Sequence, residues 1–261
     1  MTARVETTRH GRVLQLTLNA PGLRNAVGPE INAGLIAALE EAGADPGTGA
    51  VVLTGADGVF CAGGNLNRLR ANREQPPEVQ AESVALLNRA VTAVRACPRP
   101  VIAAVEGAAA GAGFSLALGS DLVVAAEDAS FIMSHVKVGL NADGGGTAFL
   151  ARALPPQLAA EILFEGGRMS AQRLHALGVV NRVVAPGRAL AEALDWAARL
   201  AEGPPAALAR AKVLLERAWS TPLADQMAAE AAAMVEAVHH AEAGEGIAAF
   251  LERRRPVFPR G

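Results

Sequence analysis

Residues 101–117, VIAAVEGAAAGAGFSLA, decide how this chain is read. The apolar run Val101–Val105 is too short for a helix and reads as a buried strand. Nearly everything after it is Gly or Ala, and such residues let a ligand approach the main chain closely. The arrangement occurs twice. Residues 50–53, AVVL, form another short apolar run, and it leads into FCAGGNL at residues 60–66. Each run places small residues just past the carboxyl end of a strand, where open parallel sheets bind ligands. Main-chain N–H groups at such turns and at helix starts have no partner of their own and suit an anion. Two of them aimed at one oxygen form an oxyanion hole. Spacing alone leaves a second reading equally open, in which the glycines only allow helices to pack tightly.

Outward from these turns the pattern alternates. Residues 13–18, VLQLTL, alternate apolar and polar like a half-buried strand. Pro29 opens a helical pattern carrying Ile31, Leu35 and Leu39. Residues 78–95 place Val84, Leu87, Val91 and Val94 on one helix face, and Pro98 and Pro100 end it. Residues 122–125 are a third buried strand. This alternation predicts an α/β core with parallel pairing. Further on, Ser170 caps a short helix reaching Gly178, and residues 179–184 form a last strand. From Arg188 onward the chain reads as nearly all helix. Pro204 and Pro205 punctuate helices, and Thr221 with Pro222 reads as an N-cap and first-turn pair for a helix to about His240. The division expected is an α/β core with the ligand site at residues 1–184 and a helical region at 185–261.

Composition narrows the function. The chain has 261 residues, 51% of them hydrophobic, so a sizeable core is available. A net charge of −2 and the absence of Tyr give little basis for binding nucleic acid. The two cysteines, Cys61 and Cys97, suit a reducing compartment better than a disulfide scaffold. The opening MTARVETTRHGR has no apolar segment of a secretory signal, and no apolar run reaches about 18 residues. The expectation is a cytoplasmic protein without a membrane partner. No phosphate-binding G-x-x-x-x-G-K and no zinc-spaced Cys/His cluster occurs.

Four stretches resemble, in order, the signatures of the enoyl-CoA hydratase/isomerase (crotonase) superfamily. They are LNAPGLRNAV at 18–27, VVLTGADGVFCAGGNL at 51–66, PVIAAVEGAAAGAGFSLALGSDLVVAAEDASF at 100–131 and EGIAAFLERRRPVF at 245–258. The resemblance implies an α/β crotonase-like spiral of ββα units with a helical C-terminal trimerisation region, assembled as a homotrimer or a dimer of trimers. It implies an acyl-CoA substrate and no separate cofactor, coenzyme A being part of the substrate. The implied oxyanion donors are the N–H groups of Gly64 and Ala112. Ala112 stands where glycine is usual, and a methyl group leaves the N–H in place. The implied CoA contacts are Arg24, Ala26, Ala62, Asn65 and Leu66, with Phe250 and Arg253 or Arg254 of the tail, sometimes from a neighbouring subunit. For the arginines a solvated charged end is an equal alternative.

The acid–base positions depart from the hydratase pattern. Family hydratases use two glutamates, and these positions fall on Ser115 and His135. Asp143, in VGLNADGGGT, matches an acid found in superfamily isomerases and in a dehalogenase. One carboxylate suffices to move a proton between two carbons while the oxyanion hole holds the enolate. The resemblance therefore implies isomerisation of a double bond or a ring on an enoyl-CoA. Hydration or thioester hydrolysis with a non-standard acid–base set, and non-catalytic acyl-CoA binding, are the alternatives. Asp143 also reads as a cap for the following helix, and His135 as an orienting group, a second acid–base or a structural residue. Glu106 reads as structural, and Cys61 as a small buried thiol. Residues 113–117, GFSLA, nearly match a nucleophile elbow, so Ser115, Asp143 and His175 form a hydrolase alternative.

Overall fold

The structure, a computed structural model, describes residues 2–259. The chain winds through successive similar turns. The first holds β1 (Arg4–His10), β2 (Val13–Asn19) and α1 (Pro29–Ala44). The second holds β3 (Ala50–Gly55), α2 (Leu66–Asn72) and α3 (Pro77–Ala96). The third holds β4 (Val101–Val105), β5 (Ala108–Ala110) and α4 (Ala112–Gly119). The fourth holds β6 (Leu122–Ala126), β7 (Ser130–Ile132), α5 (Gly146–Ala153) and α6 (Pro156–Glu165). There follow β8 (Arg168–Ser170), α7 (Ala171–Ala176), β9 (Arg182–Val184) and α8 (Ala189–Ala201). Three helices close the chain: α9 (Pro205–Arg217), α10 (Leu223–Val238) and α11 (Ala241–Leu251).

The larger sheet has the order β1-β2-β3-β4-β6-β9, and every pair in it is parallel except the β1–β2 hairpin. A smaller sheet, β5-β7-β8, runs beside it. Isolated bridges pair Val27 with Gly64 and Cys61 with Ala109. The residues leaving each large-sheet strand thus lie beside the corresponding residues of the next turn. This is the α/β spiral of ββα units that the resemblance implies.

Both faces of the central strands β3, β4 and β6 are covered, which is why these strands read as unbroken apolar runs. Val51, Leu53, Val101, Ala103 and Val105 face α1, α3 and α4. The alternate residues Ala50, Val52, Ile102, Ala104 and Val124 face Ala189, Ala193, Ala197 and Ala201 of α8. Alanine at every fourth position gives α8 a flat face that lies close to the strands. The Glu106 carboxylate accepts from the N–H groups of Gly187 at 3.0 Å and Ala189 at 2.8 Å, so it caps α8. Its reading as structural is supported by these contacts. Outward of this layer, α9 and α10 bury almost nothing, with Gln226 the one buried residue of α10. They are tied down by polar links. Glu242 accepts from the N–H groups of Ala206 and Ala207, and the Lys212 ammonium donates to Asp121 at 2.7 Å. No described helix is long and apolar enough to cross a membrane.

Two expectations change, and one strand was not anticipated: RVETTRH lacks apolar alternation, yet it forms β1, because an edge strand needs only one paired side and tolerates charge. The strand expected at 179–184 is shorter, because the N–H groups of Val179 and Val180 turn back onto the Leu174 carbonyl and close α7. Pro222 is itself the N-cap of α10, with φ −56° and ψ 146°, so Thr221 is not. Proline's fixed φ suits that extended position as well as the first helical one.

Candidate active site

The two glycine-rich turns lie against each other. Three main-chain hydrogen bonds join them: Phe60 N–H to Glu106 O, Cys61 N–H to Ala108 O and Ala110 N–H to Cys61 O, each 2.9 Å. Gly63 has φ +94°, and a side-chain carbon there would lie 2.7 Å from Ala110 O and 3.5 Å from Gly111 Cα. Only glycine permits both that conformation and that approach. At Gly113 a side-chain carbon would sit 2.5 Å from Cys61 O. The glycines therefore do serve close packing, but it is backbone against backbone at the ends of β3 and β4.

A third segment joins them. Val27 N–H donates to Gly63 O at 2.8 Å, and Ala62 N–H to Arg24 O at 3.0 Å. Asn25 holds this segment in place. It is buried, with φ +59°, and its amide donates to Ala56 O at 2.8 Å and Val59 O at 2.6 Å while accepting from Ala20 N–H. Its organising role was not read from the sequence. The available signal was an Asn between Arg24 and Ala26, since Asn is among the few residues that tolerate a left-handed conformation.

Gly64 and Ala112 directly follow Gly63 and Gly111, which lie so close that a side-chain carbon on Gly63 would be 3.5 Å from Gly111 Cα. Gly64 is exposed, and Ala112 is the first residue of α4. Among the described residues neither N–H donates a hydrogen bond. A helix start leaves such groups unpaired.

Beyond β7 the chain makes a short 3-10 turn, Ser134–Val138, that carries His135. The imidazole lies beside Gly111, where a side-chain carbon would be 3.5 Å from His135 Cε1. His135 Nε2 stands 3.2 Å from Asp143 Oδ1, with the ring 13% and the carboxylate 30% exposed. A carboxylate only accepts, so while Asp143 is ionised the shared hydrogen belongs to Nε2. His135 Nδ1 is buried and has no hydrogen-bond partner among the described residues. The alternative in which Asp143 caps a helix is not what the structure shows. The N-cap of α5 is Gly145 and has no side-chain bond; only the Asp143 main-chain carbonyl is engaged there, by Gly146 N–H at 3.1 Å.

The nucleophile-elbow alternative also fails. Ser115 is fully buried, and its hydroxyl donates to Asp143 O at 2.8 Å. His175 Nδ1 instead pairs with Val180 O in the α7 turn at 2.7 Å. Cys61 is buried, and burial pushes its thiol up to about 11, so it is not a nucleophile near neutrality.

The remaining expected residues divide into two groups. Arg24 is exposed, Ala26 buried and Ala62 half-buried, all beside the first turn. The Asn65 side chain accepts from Asn67 and Arg68 N–H groups, capping α2, and Leu66 is 60% exposed at its start. The tail stands apart. Phe250 is 84% exposed on α11. Arg254 is gripped by Glu245 at 2.6 and 2.9 Å and by Glu252 at 2.6 Å. The Arg254 hydrogen bond, with that from Val257 N–H, holds Glu245 down at about 2. Among the described residues Arg253 has no ion pair, and no hydrogen bond joins these tail residues to the glycine turns.

Residues 8–260 match the family described as Enoyl-CoA hydratase/isomerase. A crystal structure of an enoyl-CoA hydratase from Polaromonas sp. JS666 is similar with a TM-score of 0.97 and 53% identity, covering 98% of this chain and 100% of that one. The 1,2-epoxyphenylacetyl-CoA isomerase of Escherichia coli (strain K12) is 35% identical over 247 residues, 94% of each chain. The 2,3-dehydroadipyl-CoA hydratase of the same organism is 34% identical over 251 residues, 96% of each. Hydration and isomerisation thus both occur among the names of its relatives.

Proposed function

The chain belongs to the enoyl-CoA hydratase/isomerase family, enzymes acting on acyl-CoA thioesters, and from that premise we propose that it isomerises an enoyl-CoA with Asp143 as its base. The observation that carries this reading is the Asp143 carboxylate, uncapped and paired with His135 beside Gly111.

On a 3-enoyl thioester the step is a proton transfer within one molecule. The Asp143 carboxylate takes a proton from Cα. The electrons of that C–H bond delocalise into the thioester carbonyl, whose oxygen becomes an oxyanion between the N–H groups of Gly64 and Ala112. Protonated Asp143 then returns a proton to Cγ, giving the 2-enoyl thioester with no atom gained or lost. One carboxylate serves both transfers. Each donor of such a hole is worth about 3–4 kcal/mol in the transition state. His135 orients the carboxylate.

Two-glutamate hydration has no counterpart here. It needs a base for water at Cβ and an acid for Cα, and Ser115 and His135 occupy those positions. A second reading keeps hydration or thioester hydrolysis, with the His135 imidazole activating the water; its closeness to Asp143 favours it. The two separate in heavy-oxygen water. Purified protein is incubated with a panel of acyl-CoA thioesters and the products are weighed by mass spectrometry. Product without heavy oxygen supports isomerisation. Heavy oxygen in the acyl product overturns it in favour of water addition, and no turnover of any thioester leaves acyl-CoA binding without catalysis.

For CoA, the reading assigns Arg24, Ala26, Ala62, Asn65 and Leu66 of one subunit, with Phe250 and Arg253 from a neighbour in a trimer. Support comes from the exposed apolar residues Leu223, Met227, Met234 and Val235 on α10, which suit a covered surface. Arg254 is the weaker of the two arginine candidates, because Glu245 and Glu252 already hold it.

A further inference from the structure

We infer that Ser115 is a positioning residue for Asp143, fixing the base through its main chain; this rests on the reading of Asp143 as that base. The two residues are joined by one hydrogen bond, Ser115 Oγ to Asp143 O at 2.8 Å, and the serine is fully buried. The loop after the aspartate is moulded around this hydroxyl. A side-chain carbon on Gly146 would lie 2.7 Å from Ser115 Oγ, and one on Gly144 would lie 3.3 Å from Ser115 Cβ. Gly144 also has φ +56°, which lets the chain turn sharply straight after Asp143. Gly146 N–H donates to the same Asp143 carbonyl at 3.1 Å, so both acceptor directions of that oxygen are taken.

Helix α4 therefore acts at two points of the site. Its first residue, Ala112, presents one proposed oxyanion donor. Three residues on, Ser115 holds the loop that carries the base. Residues three apart share a helix face, so a single rigid element sets the distance between oxyanion and base. His135 restrains the carboxylate at its oxygen and Ser115 restrains the same residue at its carbonyl. Where the resemblance implies a glutamate in family hydratases, this position holds the one carboxylate in place in lieu of supplying a second.

The test uses Ser115→Ala and Ser115→Cys in the full chain, with Asp143→Asn beside them, on a 3-enoyl-CoA. Alanine fits the space and removes the donor. Cysteine keeps the volume with a weak donor and guards against a packing effect. The expected result for Ser115→Ala is a kcat lower by roughly ten- to a hundred-fold, as a misplaced reacting group gives, with KM unchanged and Ser115→Cys between it and the parent. Parental kcat in Ser115→Ala, with Asp143→Asn inactive, overturns the inference alone. A rise in KM that matches the loss, together with a lowered melting temperature, also overturns it, because that is what a merely structural serine produces. Parental kcat in Asp143→Asn removes the base itself, and the inference falls with it.

Discussion

The imidazole of His135 stands between the main chain of Gly111 and the carboxylate of Asp143, with Nε2 3.2 Å from Oδ1. The two residues lie eight positions apart, at the two ends of one loop, and that loop leaves the small sheet next to the second glycine turn. The His135–Asp143 pair and one proposed oxyanion donor are thus referred to the same short piece of backbone. Replacing His135 with Gln removes the aromatic partner and frees the carboxylate to rotate. Steady-state kinetics are expected to show kcat lowered roughly ten- to a hundred-fold, with thioester binding retained. Parental kcat in this variant would mean that His135 does no more than fill space.

The neighbouring glycines 63 and 64 are expected to respond in opposite ways to the same substitution. Gly63→Ala forces a side chain into a left-handed position and against Ala110 O at 2.7 Å. It should lower stability by about 1–3 kcal/mol and depress kcat by pushing the two turns apart. At Gly64 the nearest atom to a new side-chain carbon is Leu69 Cδ1 at 3.8 Å, and the N–H survives. Gly64→Ala should stay near the parent in both properties. Urea denaturation and kcat measured on both variants decide this, and equal behaviour would contradict the geometry described.

Glu106 is expected to matter for stability. Its two carboxylate oxygens satisfy N–H groups at the start of α8, the helix that packs on one face of β2, β3, β4 and β6. Loss of such a cap costs about 1–2 kcal/mol. Glu106→Ala should therefore lower the urea midpoint, whereas an unchanged midpoint would show that water replaces the carboxylate without penalty.

Cys61 provides a pH-dependent signature. Burial raises its thiol to about 11, so the fold favours the protonated form. This contribution is complete below the ordinary thiol range and is lost as pH rises toward 11. At pH 8 roughly one molecule in a thousand carries the thiolate. Iodoacetamide with mass-spectrometric readout should leave Cys61 unmodified in the native protein at pH 8 and label it in denaturant. Rapid native labelling would contradict its burial.

Much of this was legible in the sequence, for identifiable reasons. Strands β3, β4 and β6 are covered on both faces, so their residues are apolar without interruption and betray them. The short strands β5, β7 and β8 have three residues each and no pattern to display. Charged β1 is held by pairing along one edge, which composition does not record. At the candidate site, Gly64, Ala112, His135 and Asp143 could be named from the sequence because each belongs to a stretch with a recognisable signature. The roles of Asn25 and Ser115 were not, since both act by hydrogen bonds to main-chain carbonyls of residues 28 or more positions away. Such contacts leave no trace in local pattern. Arg253 and Arg254 looked equivalent as neighbours in ERRRP; only the fold brings Glu245 onto the second of them.

The proposed role of Asp143 is to remove a proton from the carbon alpha to the thioester. It is tested most directly by following deuterium entering Cα of a bound acyl-CoA in deuterium oxide, in the parent protein and in Asp143→Asn. The parent is expected to incorporate deuterium and the variant to do so at least about a hundred-fold more slowly, with the thioester bound as tightly. Incorporation by Asp143→Asn at the parental rate would contradict it.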